Sequence, residues 1–282
     1  MLRGLNIRRY YFNLYLWTQL NQQFRAFSGV EAHTIHRSLN DPVSGEFSPK
    51  TIHRMIGEQI AEIDELSALD AGCGYGGTCL DLHARFGGRW RGITISGRQQ
   101  KVAAKNAAAM GVDNTVMFER ASYDDPVEGS FNLVVSIESL IHAQDPARAV
   151  ANLAASLRPG GLFIIVDDMP VMNVPNAFAD DLEAFKRGWH CPEMPSAEKW
   201  SHYLNDAGCA VESVRDLSSL MRPRSQADLD AAAADISAKS WWRPWFGLGS
   251  VTGAELGGLL LEKLGREGAV RYQMIVARKA QD

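Results

Sequence analysis

The chain has 282 residues, 46% of them apolar and 22% charged, and its formal net charge is −4. That length allows one large α/β domain with added segments, and the acidic balance argues against a nucleic-acid-binding protein, which would carry a basic excess. Cys73, Cys79, Cys191 and Cys209 form neither a disulfide framework nor a zinc-type pair, which reads as reduced thiols in a cytoplasmic protein.

The opening "MLRGLNIRRYYFNLYLWTQL" mixes basic residues with an apolar patch. Asn6, Asn13 and Gln19 interrupt the patch and no small-residue cleavage site follows, so neither a signal peptide nor a membrane span is expected. Residues 1–65 are expected to form a helical cap or lid, with "NDPVSGEFS" as a loop inside it. From residue 66 strands and helices alternate. "LSALDA" reads as a buried strand, and a glycine turn leads into a helix with apolar positions at Cys79, Leu82 and Phe86. "WRGITI" is a second strand, followed by the alanine-rich helix "GRQQKVAAKNAAAMG" with its stop at Gly111. "TVMFER" and "FNLVVSI" are two more strands, and "PARAVANLAASLRPGG" is a helix with a Pro-Gly-Gly stop that feeds the strand "LFIIVDD". "SAEKWSHYLNDAGCAVESVRDLS" gives a serine-capped helix, a stop at Gly208 and a strand, and "VRYQMIVARKA" is a final strand. A helical and aromatic insertion is expected over about residues 217–250. This order implies a mostly parallel sheet with helices on both faces.

The turn "LDAGCGYGG" carries Gly72, Gly74 and Gly77 at the spacing of a dinucleotide-binding loop, with Gly76 completing D-x-G-x-G-x-G-G. A nicotinamide site would place an acid at the end of the second strand to bond the ribose. Thr94 stands there instead, and the acid, Asp70, precedes the glycines.

With its flanking motifs the turn resembles the first motif of class I S-adenosylmethionine-dependent methyltransferases. "FNLVVSIESLIHAQDPARAVANLAASLRPGGLFIIVDD" and "SAEKWSHYLNDAGCAV" resemble later strands and helices of that family, so the resemblance covers about residues 66–216 and the final strand. It implies a Rossmann-like seven-stranded sheet over residues 66–282 and S-adenosylmethionine as cofactor. Asp70 would suit the cationic cofactor. "GITISGRQ" resembles the version found in methyltransferases of sterols and isoprenoids, which would assign Thr94, Ile95, Ser96 and Gln99 (or Gln100) to the ribose side. After the third strand Ser122 stands where relatives have an aspartate for the adenine amine. Ser122, its neighbour Tyr123, or Asp124 would substitute.

At the end of the fourth strand "IESLIHAQD" sets Glu138 and His142 four residues apart, and resembles "IE-x-x-x-HA-x-D" of sterol C-methyltransferases. There a carboxylate stabilises a tertiary carbocation and takes its proton. The favoured reading is therefore carbon methylation of an isoprenoid or sterol-like alkene, with Glu138 as stabiliser or base. The alternative is O- or N-methylation of a small metabolite with His142 as general base. Tyr11, Trp17, Trp245 and Phe246 are candidate pocket aromatics. His33 and His36, near Arg37, are candidate lid residues for an anionic acceptor group; as a metal pair they lack a third ligand. Magnesium enters only if the acceptor carries a diphosphate, in which case Asp167 and Asp168 are candidate ligands. The aromatic terminal segments could equally serve as an interface between copies of the chain.

Overall fold

The computed structural model describes residues 33–241 and 249–281. A strap, residues 33–38, leads into a hairpin of β1 (Leu39–Asn40) and β2 (Phe47–Ser48). The turn between them is built by Asp41, whose Oδ1 accepts the amides of Val43 and Ser44 at 2.8 and 3.3 Å. "NDPVSGEFS" therefore closes a hairpin rather than joining helices. In the described part of the expected helical cap there is one helix, α1 (Lys50–Ile60).

The remaining elements are β3 (Ser67–Ala71), α2 (Gly77–Phe86), β4 (Arg89–Thr94), α3 (Gly97–Ala109), β5 (Val116–Arg120), β6 (Phe131–Ile137), α4 (Pro146–Ala155) and β7 (Leu157–Pro170). They continue as α5 (Ala179–Trp189), α6 (Ala197–Asp206), β8 (Cys209–Asp216), α7 (Gln226–Ser240), α8 (Gly249–Arg266) and β9 (Val270–Lys279). The seven-stranded sheet has the order β5-β4-β3-β6-β7-β9-β8. Its first five strands run parallel, and β9 pairs antiparallel with both β7 and β8. Strand order reverses between β3 and β6, which opens a crevice beyond their carboxyl ends.

Local chemistry explains the helix starts. Ser96, Asp145 and Ser196 accept the amides of Gln99, Arg148 and Lys199, and Ser225 forms a capping box with Asp228. One core, with Trp90, Leu82 and Ile56, packs α1 and α2 against one face of the sheet. A second, with Trp200, Leu153 and Phe163, packs α4 and α6 against the other. A third, with Phe185 and Leu264, joins α5 to α8.

Two elements depart from the sequence expectation. β7 starts at Leu157 and runs through the Arg-Pro-Gly-Gly stretch, with a register shift between the Phe131 and Leu133 pairs and a positive φ at Gly160. Helices α5 and α8 were not expected. Four glycines inside α8 weaken its helical signal, but two serve packing: Gly253 meets the Gly188 backbone, and a Cβ on Gly257 would lie 2.3 Å from the Trp189 ring. The Trp189 indole donates to the Ala254 carbonyl across this contact at 2.8 Å. No helix among the described residues is long and apolar enough to cross a membrane.

Candidate active site

The glycine turn sits at the reversal point. Gly72 has φ +100°, and a Cβ there would stand 2.4 Å from the Ser139 Cβ, so the turn is pressed against the chain leaving β6. The amides of Gly72 and Cys73 both donate to the Ile93 carbonyl, at 2.9 and 3.0 Å, which ties the turn to β4. Asp70 lies buried beneath, and the Cys79 thiol donates to it at 3.5 Å. Burial raises its carboxyl to about 7.

At the end of β4 the Thr94 hydroxyl donates to Gln99 Oε1 at 2.7 Å, and both side chains are buried. Gln100 instead donates to the Phe118 carbonyl at 3.0 Å, so of the two glutamines Gln99 belongs to the crevice. Ser96 serves as the cap of α3. Ser122 accepts the Asp124 amide at 3.1 Å in a local turn, while the Tyr123 phenol donates to the Ser139 carbonyl at 2.7 Å.

Glu138 adopts a left-handed conformation, φ +48°, which aims its carboxylate off the end of β6. Its Oε1 accepts the Arg37 backbone amide at 3.0 Å, Arg37 Nε at 3.3 Å and the Tyr272 hydroxyl at 2.8 Å. Arg37 also pairs with Asp168, donates to the Met221 sulfur at 2.9 Å, and stacks 4.4 Å from the Tyr272 ring centre. Burial opposes the Arg37 charge, yet Asp168 and Glu138 together raise its pKa above the ordinary value. Asp168 is held at about 7, raised by burial against the pull of Arg37. Behind it Asp167 is fully buried, and its Oδ2 has no hydrogen-bond partner among the described residues. Burial and the neighbouring carboxylates push its pKa well up, which favours the neutral form.

His142 closes a single 3-10 turn, Leu140–His142, after β6. Burial lowers its pKa to about 4, against the opposing effect of the His190 and Trp189 backbone, so the imidazole is neutral at physiological pH. Its Nδ1 lies 3.8 Å from the Cys191 sulfur.

These groups surround one cavity of about 770 Å³. Its wall includes Asp70, Gly72, Gly74, Thr94, Ile95, Gln99, Tyr123, Glu138, His142, His33 and His36. Gly76, Ser96 and Ser122, which the sequence also suggested, are not on it. His36 turns both ring nitrogens into the protein, toward the Arg37 carbonyl at 3.2 Å and the His53 ring at 3.0 Å. Tyr11, Trp17, Trp245 and Phe246 lie outside the described residues. Tyr272, Met221 and the α8 face escaped the sequence reading, because nothing in their local pattern distinguishes them from core or surface.

Comparison with known proteins decides the family. The family described as a methyltransferase domain matches residues 69–165, the span of the turn, the central strands and the Glu138–His142 segment. Residues 69–165 carry a methyltransferase domain, and the chain is an S-adenosylmethionine-dependent methyltransferase. Among its relatives are O-methyltransferase rstn1 of Aspergillus nomiae, 29% identical over 62% of this chain and 79% of that one, and O-methyltransferase resE of Aspergillus sclerotiorum, 29% identical over 72% and 78%. Among solved structures, geranyl diphosphate C-methyltransferase from Streptomyces coelicolor, held with magnesium, geranyl-S-thiolodiphosphate and S-adenosyl-L-homocysteine, superposes with a TM-score of 0.63. It is 17% identical over 82% of this methyltransferase and 76% of its own chain, a likeness of fold.

The crevice of the methyltransferase fits S-adenosylmethionine by its donor set. A buried carboxyl at Asp70, without a cationic partner among the described residues and raised to about 7, is chemically suited to a ligand that carries an ammonium and a sulfonium. Thr94 and Gln99 add polar groups to the wall of the same cavity, suited to a ribose.

Proposed function

We propose that this methyltransferase alkylates an oxygen of a medium-sized, largely apolar small molecule, with His142 as the general base. The observation that carries the reading is the His142 imidazole, a neutral side chain in the cavity wall oriented by hydrogen bonds to the His190 and Trp189 backbone, while Glu138 Oε1 accepts from Arg37 and Tyr272. The O-methyltransferase relatives support the same reading.

Bound S-adenosylmethionine supplies an electrophilic methyl group. The protein holds the cofactor against the glycine turn, with Asp70 facing its positive charge and Thr94 and Gln99 facing its ribose. The acceptor hydroxyl approaches His142, and its proton passes to the imidazole as the oxygen–carbon bond forms. Apolar wall residues such as Ile35, Ile137 and Leu261 keep water from the reacting oxygen. In this reading Arg37 and Tyr272 hold the strained Glu138 in place, which sets the course of the chain into the His142 turn.

A second reading, carbon methylation of an isoprenoid, is favoured by the position of Glu138 on the same wall, where a carboxylate would stabilise a developing carbocation. Magnesium belongs to this reading alone. The deciding experiment is turnover with methyl-labelled S-adenosylmethionine on phenols, alcohols and amines beside isoprenyl diphosphates with and without magnesium. Label on oxygen supports the His142 mechanism. Label on an isoprenyl carbon retires it and returns the chemistry to Glu138.

A further inference from the structure

The strap covers the cofactor turn residue by residue. The His33 carbonyl accepts the Gly77 amide at 3.1 Å, and Thr34 lies so close to Gly77 that a Cβ there would be 2.2 Å from its hydroxyl. Ile35 stands over Gly74, and Arg37 reaches Glu138. His36 turns back into the protein, toward His53 on α1.

Counting protons around His36 leaves a deficit. Its Nδ1 lies 3.2 Å from the Arg37 carbonyl, an acceptor, so Nδ1 must carry a proton. In a neutral ring Nε2 then holds a lone pair. Across from it, His53 Nδ1 lies 2.9 Å from Asp81 Oδ2 and must likewise donate. Neutral His53 would also present a lone pair on Nε2. Yet the two Nε2 atoms are 3.0 Å apart, the distance of an N–H···N bond. The Thr78 hydroxyl, 3.3 Å from His53 Nε2, has one proton to donate and can therefore satisfy only one of the two lone pairs.

We propose that Asp81, His53 and His36 hold one proton more than two neutral imidazoles require, shared across the N···N contact, and that this buried cation positions the 33–38 strap over the cofactor. His53 is then a positioning residue for cofactor binding, a role distinct from the choice of acceptor. The charge has a ready counterion. Burial alone would raise the Asp81 pKa, but its bond to His53 and the charges of His53, Arg85 and Lys50 bring it below the ordinary value, so it stays anionic. Burial and the neighbouring His53 lower His36 to about 3. The charged groups facing the pair are Arg37 from the strap, Asp81 from α2, and Lys50 and Arg85 paired with Asp81 at 3.7 and 3.0 Å.

The test is a long-range proton–nitrogen NMR spectrum of histidine-labelled protein at neutral pH, together with S-adenosylhomocysteine affinity of the wild type and Asp81→Asn. The expected spectrum shows both nitrogens of His53 protonated and an N–H···N bond to His36. Asp81→Asn, at a partly exposed position, should lose that signature and bind S-adenosylhomocysteine about tenfold more weakly, the scale of one charge-assisted hydrogen bond. Two neutral rings in the wild-type spectrum would overturn the proposal, as would equal affinity of Asp81→Asn.

Discussion

Arg37 donates its backbone N–H and its side-chain Nε–H to the same carboxylate oxygen of Glu138, at 3.0 and 3.3 Å. A single oxygen thus fixes both the main chain of the strap and the side chain that leaves it. Because Glu138 sits in a left-handed conformation, the pairing also holds a strained residue at the mouth of the sheet.

Arg37→Gln should therefore be costly. It leaves Glu138 and Asp168 without their shared cation in a largely buried setting, which destabilises by about 3 kcal/mol. Glu138→Gln alone should cost less, since Asp168 still pairs with Arg37. Combining the two should give a coupling of about 1 kcal/mol or more in urea unfolding. Strict additivity would show that the two residues do not act as a unit.

For His142 the expectation concerns rate and pH. His142→Gln should lower kcat by about 10²–10⁴-fold while S-adenosylhomocysteine affinity holds. A base must be unprotonated to act, and burial depresses this one to about 4, so the acidic limb of the wild-type kcat/KM profile should fall near pH 4 rather than near 6.5. A limb that stays near 6.5, or a His142→Gln enzyme with full turnover, would remove His142 from the mechanism.

Asp70 links stability to pH with a definite sign. Its folded pKa is raised from 3.8 to about 7, so the ligand-free fold binds the proton more tightly than the unfolded chain does. The associated stability is present in full below about pH 4 and is lost as pH rises through about 7. Asp70→Asn should reduce the slope in that part of the curve, leaving the comparable contribution of Asp168. It should also weaken S-adenosylhomocysteine binding about tenfold. An unchanged slope in thermal melts across this window would contradict the assignment.

Gly258 on α8 lines the cavity, and among the described residues nothing lies within 4 Å of where its Cβ would be. Unlike Gly253 and Gly257 it has no packing partner there, so Gly258→Ala should stabilise the helix by about 0.5–1 kcal/mol. Gly258→Phe should raise KM for bulky acceptors, leave small ones unaffected, and leave cofactor affinity intact. Equal effects on acceptors of every size would place this position outside the acceptor pocket.

Much of the scaffold could be read directly because its signals are local. The glycine turn, the serine and aspartate caps and the buried strands each declare themselves within a few residues, and Asp70, Thr94, Gln99 and Glu138 follow from them. The hairpin in the expected helical cap was hidden because its strands are only two residues long. Helix α8 was hidden by glycines whose purpose, contact with Gly188 and Trp189, lies on another helix. Tyr272 reads as an ordinary inward strand residue until β9 places its hydroxyl against Glu138, 134 positions away in the chain. His53 reads as a polar interruption of a helix, and its meaning comes only from His36 and Asp81 on two other segments. Pairings of this kind have no sequence period.

The position of β9 between β7 and β8 also bears on how the protein is made. During synthesis β8 emerges well before β9, and among the described residues β9 is its partner in the sheet. Until β9 threads into the gap, β8 has no edge to join, Tyr272 is absent from the cluster, and Glu138 lacks one of its three donors. The scaffold for the cofactor can thus be laid down on the ribosome before the acceptor side exists. Late insertion of one strand completes both the sheet and the site.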